Sequence, residues 1–271
     1  MDLPRPAPDA TPHTTGDPAR LSLVALGGIP LVKPGDDLAA LILSALESTG
    51  ERLVDGDVVV LAQKIVSRAE GRIVDLATVT PSAEARRLAD VVDKDPRLVE
   101  LILAESTEVV RYRKGVLIVA HRCGAVLANA GIDRSNVGQT AGAERVLLLP
   151  ADPDRSCAAL RDSLRQRTGA EVGIVINDSL GRAWRNGTVG AALGAAGIAA
   201  LLDLNGRPDL FDRPLQATQV GLADELAAAA SLLMGQADEG RPVVLVRGLK
   251  GVAGDGSAGD LVRPREQDLF R

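Results

Sequence analysis

The chain has 271 residues, 46% of them hydrophobic and 25% charged, with a formal net charge of −5 and a pI near 5.2. That is enough apolar material for a full core, and the acidic balance excludes a general attraction to nucleic acid or an anionic membrane surface. The only aromatics, Tyr112, Trp184, Phe211 and Phe270, leave no stacking platform for single-stranded nucleic acid.

Two cysteines, Cys123 and Cys157, fit a reducing compartment better than a disulfide framework. Two histidines, His13 and His121, do not make a His-rich zinc site. No apolar run approaches the ~18 residues of a membrane span. The proline-rich start carries no hydrophobic signal core, so a cytoplasmic protein is expected.

Residues 1–20 lack periodicity and are expected to form a disordered tail. Residues 21–26 read as a strand broken by Gly27-Gly28-Ile29-Pro30, where paired glycines suit either close approach to a ligand or an ordinary turn. Leu38, Leu41, Ile42 and Leu46 mark one face of a helix over 36–46. Residues 58–61 are a buried strand. The basic stretch 62–72 follows it. Lys64 and Arg68 share a face there if the stretch is helical, and are solvated if it is a plain strand exit.

Helices are predicted over 82–93, with Ser82 as cap, and over 96–105. Three strands follow at 109–112, 116–120 and 124–128, the first two joined by a hairpin turn at Arg113-Lys114-Gly115. His121 between the last two reads as structural rather than catalytic. Residues 137–144 form a polar linker and 146–149 a strand. An amphipathic helix covers 152–168. After the strand 172–176 come a turn, a small-residue strand over 188–197 and another strand over 215–220. A helix over 223–234 runs into the acidic loop 235–240, and the last strand is 243–246. Hairpins mixed with helices, without regular βαβ alternation, give an α+β fold with mixed or antiparallel sheets and flanking helices.

The chemistry concentrates in two stretches. Residues 172–176 are a continuous apolar strand that breaks into Asn177-Asp178-Ser179, placing an acid and a hydroxyl just past a strand end. The loop beyond carries Gly181, Arg182, Arg185 and Gly187 and suits anions. A second apolar strand ends in Asn129-Ala130-Gly131-Ile132-Asp133, with Asn136 three residues on. Asp133 and Asp178 together would offer hard oxygens to Mg²⁺ or Mn²⁺; each would equally serve as an Asx-turn former or helix cap. There is no Walker A sequence, nucleophile elbow or H-E-x-x-H. The G-x-G-x-x-G match at 254–259 lacks a following helix and reads as a flexible loop.

The strings GGIPLVKPGDDL, SRAEGR, NAGIDRSN, INDSLGR, LADELAAAASLLMGQADEG and VVLVRGL, in this order, resemble the coenzyme F420-0:L-glutamate ligases over roughly residues 21–262. The resemblance implies one γ-glutamyl ligase domain over 21–262 followed by a tail at 263–271. In many bacteria that domain precedes a flavin-binding one, so the chain is expected to be a stand-alone ligase or a shortened fused one. The implied reaction is GTP-dependent addition of L-glutamate, then of further γ-linked glutamates, to the carboxylate of a deazaflavin coenzyme precursor through an acyl phosphate. Divalent Mg²⁺ or Mn²⁺ and monovalent K⁺ are implied cofactors. Two interlaced subdomains and an intertwined homodimer are the implied architecture.

By the same resemblance, Asp133, Asp178, Ser179 and Gln236 would stand at the metal, Gln236 where the family often has Glu. Gly27, Gly28, Ile29, Pro30, Gln63, Arg68, Asn136 and Ser179 would contact GTP. So would Leu232, Leu233, Met234, Gly235, Gln236, Ala237, Asp238 and Glu239. On charge and position alone, and not from the resemblance, Arg68, Arg182 or Arg185 would stabilise transferring charge. A metal-dependent phosphohydrolase and a non-catalytic dimeric nucleotide-binding protein are the competing readings of these residues.

Overall fold

The computed structural model describes residues 19–134 and 144–269. The first half of the chain runs β1 (Ser22–Ala25), α1 (Leu38–Thr49), β2 (Val58–Ala62), α2 (Gln63–Ala69), β3 (Ile73–Asp75), α3 (Ala83–Val92), α4 (Pro96–Ala104), β4 (Ser106–Arg113), β5 (Val116–His121) and β6 (Val126–Ala128). The second half runs β7 (Arg145–Leu147), α5 (Pro153–Thr168), β8 (Gly173–Arg182), β9 (Arg185–Ala196), β10 (Leu202–Asp203), β11 (Gln219–Val220), α6 (Leu222–Met234) and β12 (Val243–Arg247). This is the mixed α+β class expected from the pattern.

Strand alternation explains the central layer. Side chains of successive strand residues point to opposite faces, and here both faces are apolar. Val59, Leu61, Ile174, Ile176, Val243 and Leu245 pack with α1 and α5. Val58, Val60, Val175, Val244 and Val246 pack the other way, onto Leu226, Ala227 and Ala230 of α6. The five strands lie in the order β1-β12-β2-β8-β9, and only β2 and β8 are parallel.

A second core lies under the antiparallel sheet β4-β5-β6, where Leu117 and Val119 meet Leu88, Val92, Val99 and Ile102 of α3 and α4. Ser82 caps α3 as predicted, accepting the Ala85 N–H. His121 is buried beside Glu105, 3.5 Å away, in keeping with a structural role. Arg72 ties the two regions together, donating to Glu105 Oε2 at 2.7 Å and to the Leu149 carbonyl at 2.9 Å. Burial alone would raise the Glu105 carboxyl, but His121 and Arg72 outweigh it and hold it below the ordinary range.

Several local expectations are corrected. Strand β8 does not stop at Ile176, because β9 continues to supply ladder partners: Asn177 pairs with Ala192, Asp178 with Ala191 and Ser179 with Gly190. Asp178 and Ser179 are therefore strand residues. The presumed anion loop is a hairpin whose two-residue turn is Ala183-Trp184, with Trp184 at φ 56° and 83% exposed. The strand expected over 215–220 is confined to Gln219–Val220. The strand expected over 146–149 is β7, Arg145–Leu147, while its partner β3, too brief to show periodicity, is not evident in the sequence. The glycine-rich loop at 254–259 is held by backbone bonds from Gly256 to Ile198 (2.9 Å) and from Ala199 to Val252 (2.8 Å).

The small residues of β9 let α5 and α6 approach closely. A Cβ at Gly190 would run into the Ala227 carbonyl of α6, and one at Gly194 into the Pro153 backbone of α5. Both obstacles are backbone, which cannot swing aside. Gly190→Ala is expected to lower the urea midpoint, with a loss of about 1–3 kcal/mol typical of overpacking. A midpoint equal to that of the parent chain would show that the sheet tolerates the added methyl.

Candidate active site

Strands β2 and β8 part company at one register. Ala62 opposite Asn177 is the last pair of their parallel ladder. Beyond it β2 turns directly into α2, while β8 continues with β9 alone. Asp178 and Ser179 thus stand past the carboxyl end of β2, where open sheets with parallel strands leave a crevice.

A cavity of about 420 Å³ occupies that position, a size suited to a small ligand. Ile29 and Pro30 form part of its wall. Helix α2 contributes Gln63, Lys64 and Arg68. Arg68 is only 9% exposed, so this stretch is not a solvated strand exit. The Ser67 hydroxyl donates to Gln63 Oε1 at 2.9 Å and fixes that side chain.

The loop after α6 closes the other side with Met234, Gly235, Gln236, Ala237, Glu239 and Arg241. Gly235 has φ 74°, and a Cβ there would collide with the Glu239 carboxylate. Ser179 Oγ donates to Gln236 Oε1 at 2.8 Å, and Gln236 Nε2 donates to Ser231 Oγ at 3.1 Å. Glu239 Oε2 accepts the Ala237 N–H at 2.9 Å, the main cause holding its carboxyl below the ordinary range.

Asp133 arrives from the smaller sheet. After β6 the chain makes a tight 3-10 turn, Asn129–Gly131, with φ 52°, 54° and 65°. Asn129 Oδ1 accepts the Leu117 N–H at 3.2 Å, and Ala130 is buried. Asp133 then exchanges two backbone bonds with Leu147, at 2.9 and 2.8 Å. Its carboxylate meets Lys64 Nζ at 2.5 Å. The two acids therefore come from different sheets, not from neighbouring strand ends, and Lys64 stands beside them.

Asp178 feels all of this. Burial pushes its carboxyl up; the Ser179 N–H and the Lys64 ammonium pull it down, and the Asp133 charge pushes it up again. Asp133 and Asp178 are thus electrostatic neighbours despite their distance in sequence. Asn177, buried next to them, donates to Met234 Sδ at 3.5 Å, and its Oδ1 has no hydrogen-bond partner among the described residues.

The cavity brings together Ile29, Pro30, Gln63, Arg68, Asp178, Ser179, Met234, Gly235, Gln236, Ala237 and Glu239, eleven of the residues singled out in the sequence. Asp133, Gly27, Gly28, Leu233 and Asp238 are not on its wall, Asp133 reaching it only through Lys64, and Leu232 points to solvent. Arg182 and Arg185 flank the exposed hairpin turn, away from the cavity, and Arg182 donates to the Asn186 carbonyl at 3.2 Å. Asn136 lies outside the described residues. Among the polar lining residues, sequence reasoning missed Asn177, Arg241 and Lys64 as site members. For Lys64, the signal was its place in the basic stretch directly after a buried strand.

Among the described residues no group of three or more His, Cys, Asp or Glu side chains gathers. The available donors are all oxygens: two carboxylates, the Ser179 hydroxyl and the Gln236 amide. Mg²⁺ is commonly held by one or two carboxylates with water and substrate phosphates completing the shell. A lysine ammonium already sits against Asp133, so the site favours positive charge. The donor set fits a hard divalent cation.

A buried acid with nearby cations, in a cavity at the ends of parallel strands of a mixed α+β protein, is a layout suited to an enzyme site. The chain belongs to the F420-0:Gamma-glutamyl ligase family, a family of ligases, whose profile matches residues 28–248. It is 48% identical over 253 residues to the coenzyme F420:L-glutamate ligase of Methanothermobacter thermautotrophicus, covering 93% of this chain and 99% of that one. The protein of the same name from Methanocaldococcus jannaschii is 44% identical over 217 residues, covering 80% and 85%. That of Archaeoglobus fulgidus is 43% identical over 252 residues, covering 93% and 97%.

A raised carboxyl in the folded state means that the Asp178 charge costs stability above that raised value. The cost is absent below the unfolded-chain value of about 3.9. Asp178→Asn keeps an acceptor for the Ser179 N–H while removing the charge. Its melting temperature at pH 7 is expected to exceed that of the parent, with the difference shrinking as the pH falls towards about 4. Equal or lower melting at pH 7 would remove burial as the dominant influence on this group.

Proposed function

We propose that the protein is a GTP-dependent ligase that joins L-glutamate to the carboxylate of a deazaflavin coenzyme precursor, and then adds further γ-linked glutamates. Membership of the ligase family supports the class of reaction. The observation that carries the site assignment is that Lys64, which lines the cavity with Asp178, Arg68 and Arg241, also pairs with Asp133, whose charge is felt by Asp178.

A carboxylate does not condense with an amine at neutral pH unless an oxygen is first made a leaving group. In this reading the γ-phosphoryl of GTP passes to the precursor carboxylate, forming one P–O bond as the bond to GDP breaks. The glutamate amine then attacks the acyl carbon, and phosphate departs. Lys64, Arg68 and Arg241 hold the phosphate oxygens. Asp133 and Asp178, with Ser179 and Gln236, hold Mg²⁺ or Mn²⁺. A cation there supplies charge neutralisation between triphosphate and carboxylate, with K⁺ as a monovalent companion. Ser179 and Gln236 are fixed by their mutual hydrogen bond, which orients the donors before any ligand enters. The working unit is an intertwined homodimer.

Asp133→Asn and Asp178→Asn are each expected to lower turnover by about 100-fold or more, the loss usual when electrostatic stabilisation is removed. Mass spectrometry of products from GTP, Mn²⁺, L-glutamate and the deazaflavin acceptor reads this directly. Near-normal glutamate addition by either variant would end its assignment. Rapid phosphate release from GTP alone, with no glutamylated product, would replace the ligase with a phosphohydrolase.

A further inference from the structure

A second cavity, of about 390 Å³, adjoins the first. Asp178 lines one and Ala191 the other, and these two residues are direct cross-strand partners on β8 and β9. Ser179 and Leu180, consecutive on β8, likewise face the first and the second.

The charges of the two differ. The first presents Lys64, Arg68 and Arg241 beside the carboxylates of Asp178 and Glu239, cations in excess and suited to phosphate oxygens. The second presents the carboxylate of Asp224 and the guanidinium of Arg263 among apolar groups such as Leu180 and Leu193. A molecule carrying one ammonium and at least one carboxylate would be matched.

Asp224 is held for such a contact. Its Oδ1 accepts the Ala192 N–H at 2.8 Å, on the outer edge of β9. Its Oδ2 takes no hydrogen bond among the described residues. Burial raises the carboxyl, while the Ala192 N–H opposes that rise; a cationic ligand would lower the cost of its charge further. Arg263 makes no ion pair among the described residues.

We propose that this second cavity binds the amino-acid substrate, with Asp224 holding its ammonium group and Arg263 a carboxylate. The inference rests on the ligase reading above and deepens it: it assigns the amino acid to a cavity lined by Ala191, the cross-strand partner of Asp178.

The test uses the full-length chain. Asp224→Asn preserves an acceptor for the Ala192 N–H, so the sheet edge stays capped; Arg263→Met keeps the length of the stem. Each is expected to raise KM for L-glutamate about tenfold or more, as loss of a charged hydrogen bond does, and to leave KM for GTP within about twofold. Cys123, partly exposed on the cavity wall, supplies a readout that does not depend on turnover, with buried Cys157 as the silent control. L-Glutamate should slow iodoacetamide labelling of Cys123 in the parent chain and have less effect in Asp224→Asn. Unchanged KM for glutamate in both variants of an active ligase, with Cys123 labelled equally fast with and without glutamate, would overturn the subsite and leave the ligase reading intact. If the parent chain forms no glutamylated product, the ligase reading fails, and protection of Cys123 then decides alone whether the cavity takes an amino acid.

Discussion

Everything at this site depends on a mismatch in length between two strands. Strands β2 and β8 run parallel until Ala62 meets Asn177, and then only β8 goes on. A parallel ladder demands that the chain leave the sheet at its end, and α2 does so at once, carrying Gln63, Lys64 and Arg68 over the top. The antiparallel partner β9 keeps β8 extended, so Asp178 is presented from a rigid strand rather than a flexible turn. A carboxylate that burial disfavours is kept in position by backbone pairing on one side and a lysine on the other.

The two faces of the central sheet were readable because valine, isoleucine and leucine fill both of them without a break. The helix cap at Ser82 was readable for the same kind of reason: a short polar side chain precedes an amphipathic run and accepts an N–H of the first turn. The extension of β8 was not. Asn177-Asp178-Ser179 are turn formers by local preference, and what overrides them is a glycine- and alanine-rich partner strand that lets two helices press close. That override is tertiary and leaves no mark in the local pattern.

The site itself was partly legible. Residues on the wall were found where the motif strings placed them, as with Gln63, Arg68, Asp178 and Gln236. Those strings said nothing of side-chain direction. Arg182 and Arg185 follow Asp178 closely in sequence, yet a hairpin carries them several residues along the ribbon and into solvent. Lys64 was visible as a charge but not as the partner of Asp133, because 69 positions separate the pair along the chain. Arg241, a single basic residue between Gly240 and Pro242, offered no pattern to read.

Asp133 is carried by the turn beyond β6 and pinned to β7, whereas Asp178 belongs to the large sheet. The candidate centre therefore draws on two sheets, tied together nearby by the bonds of Arg72 to Glu105 and Leu149. If both acids act on one cation, competence is a property of how the sheets dock and not of either alone.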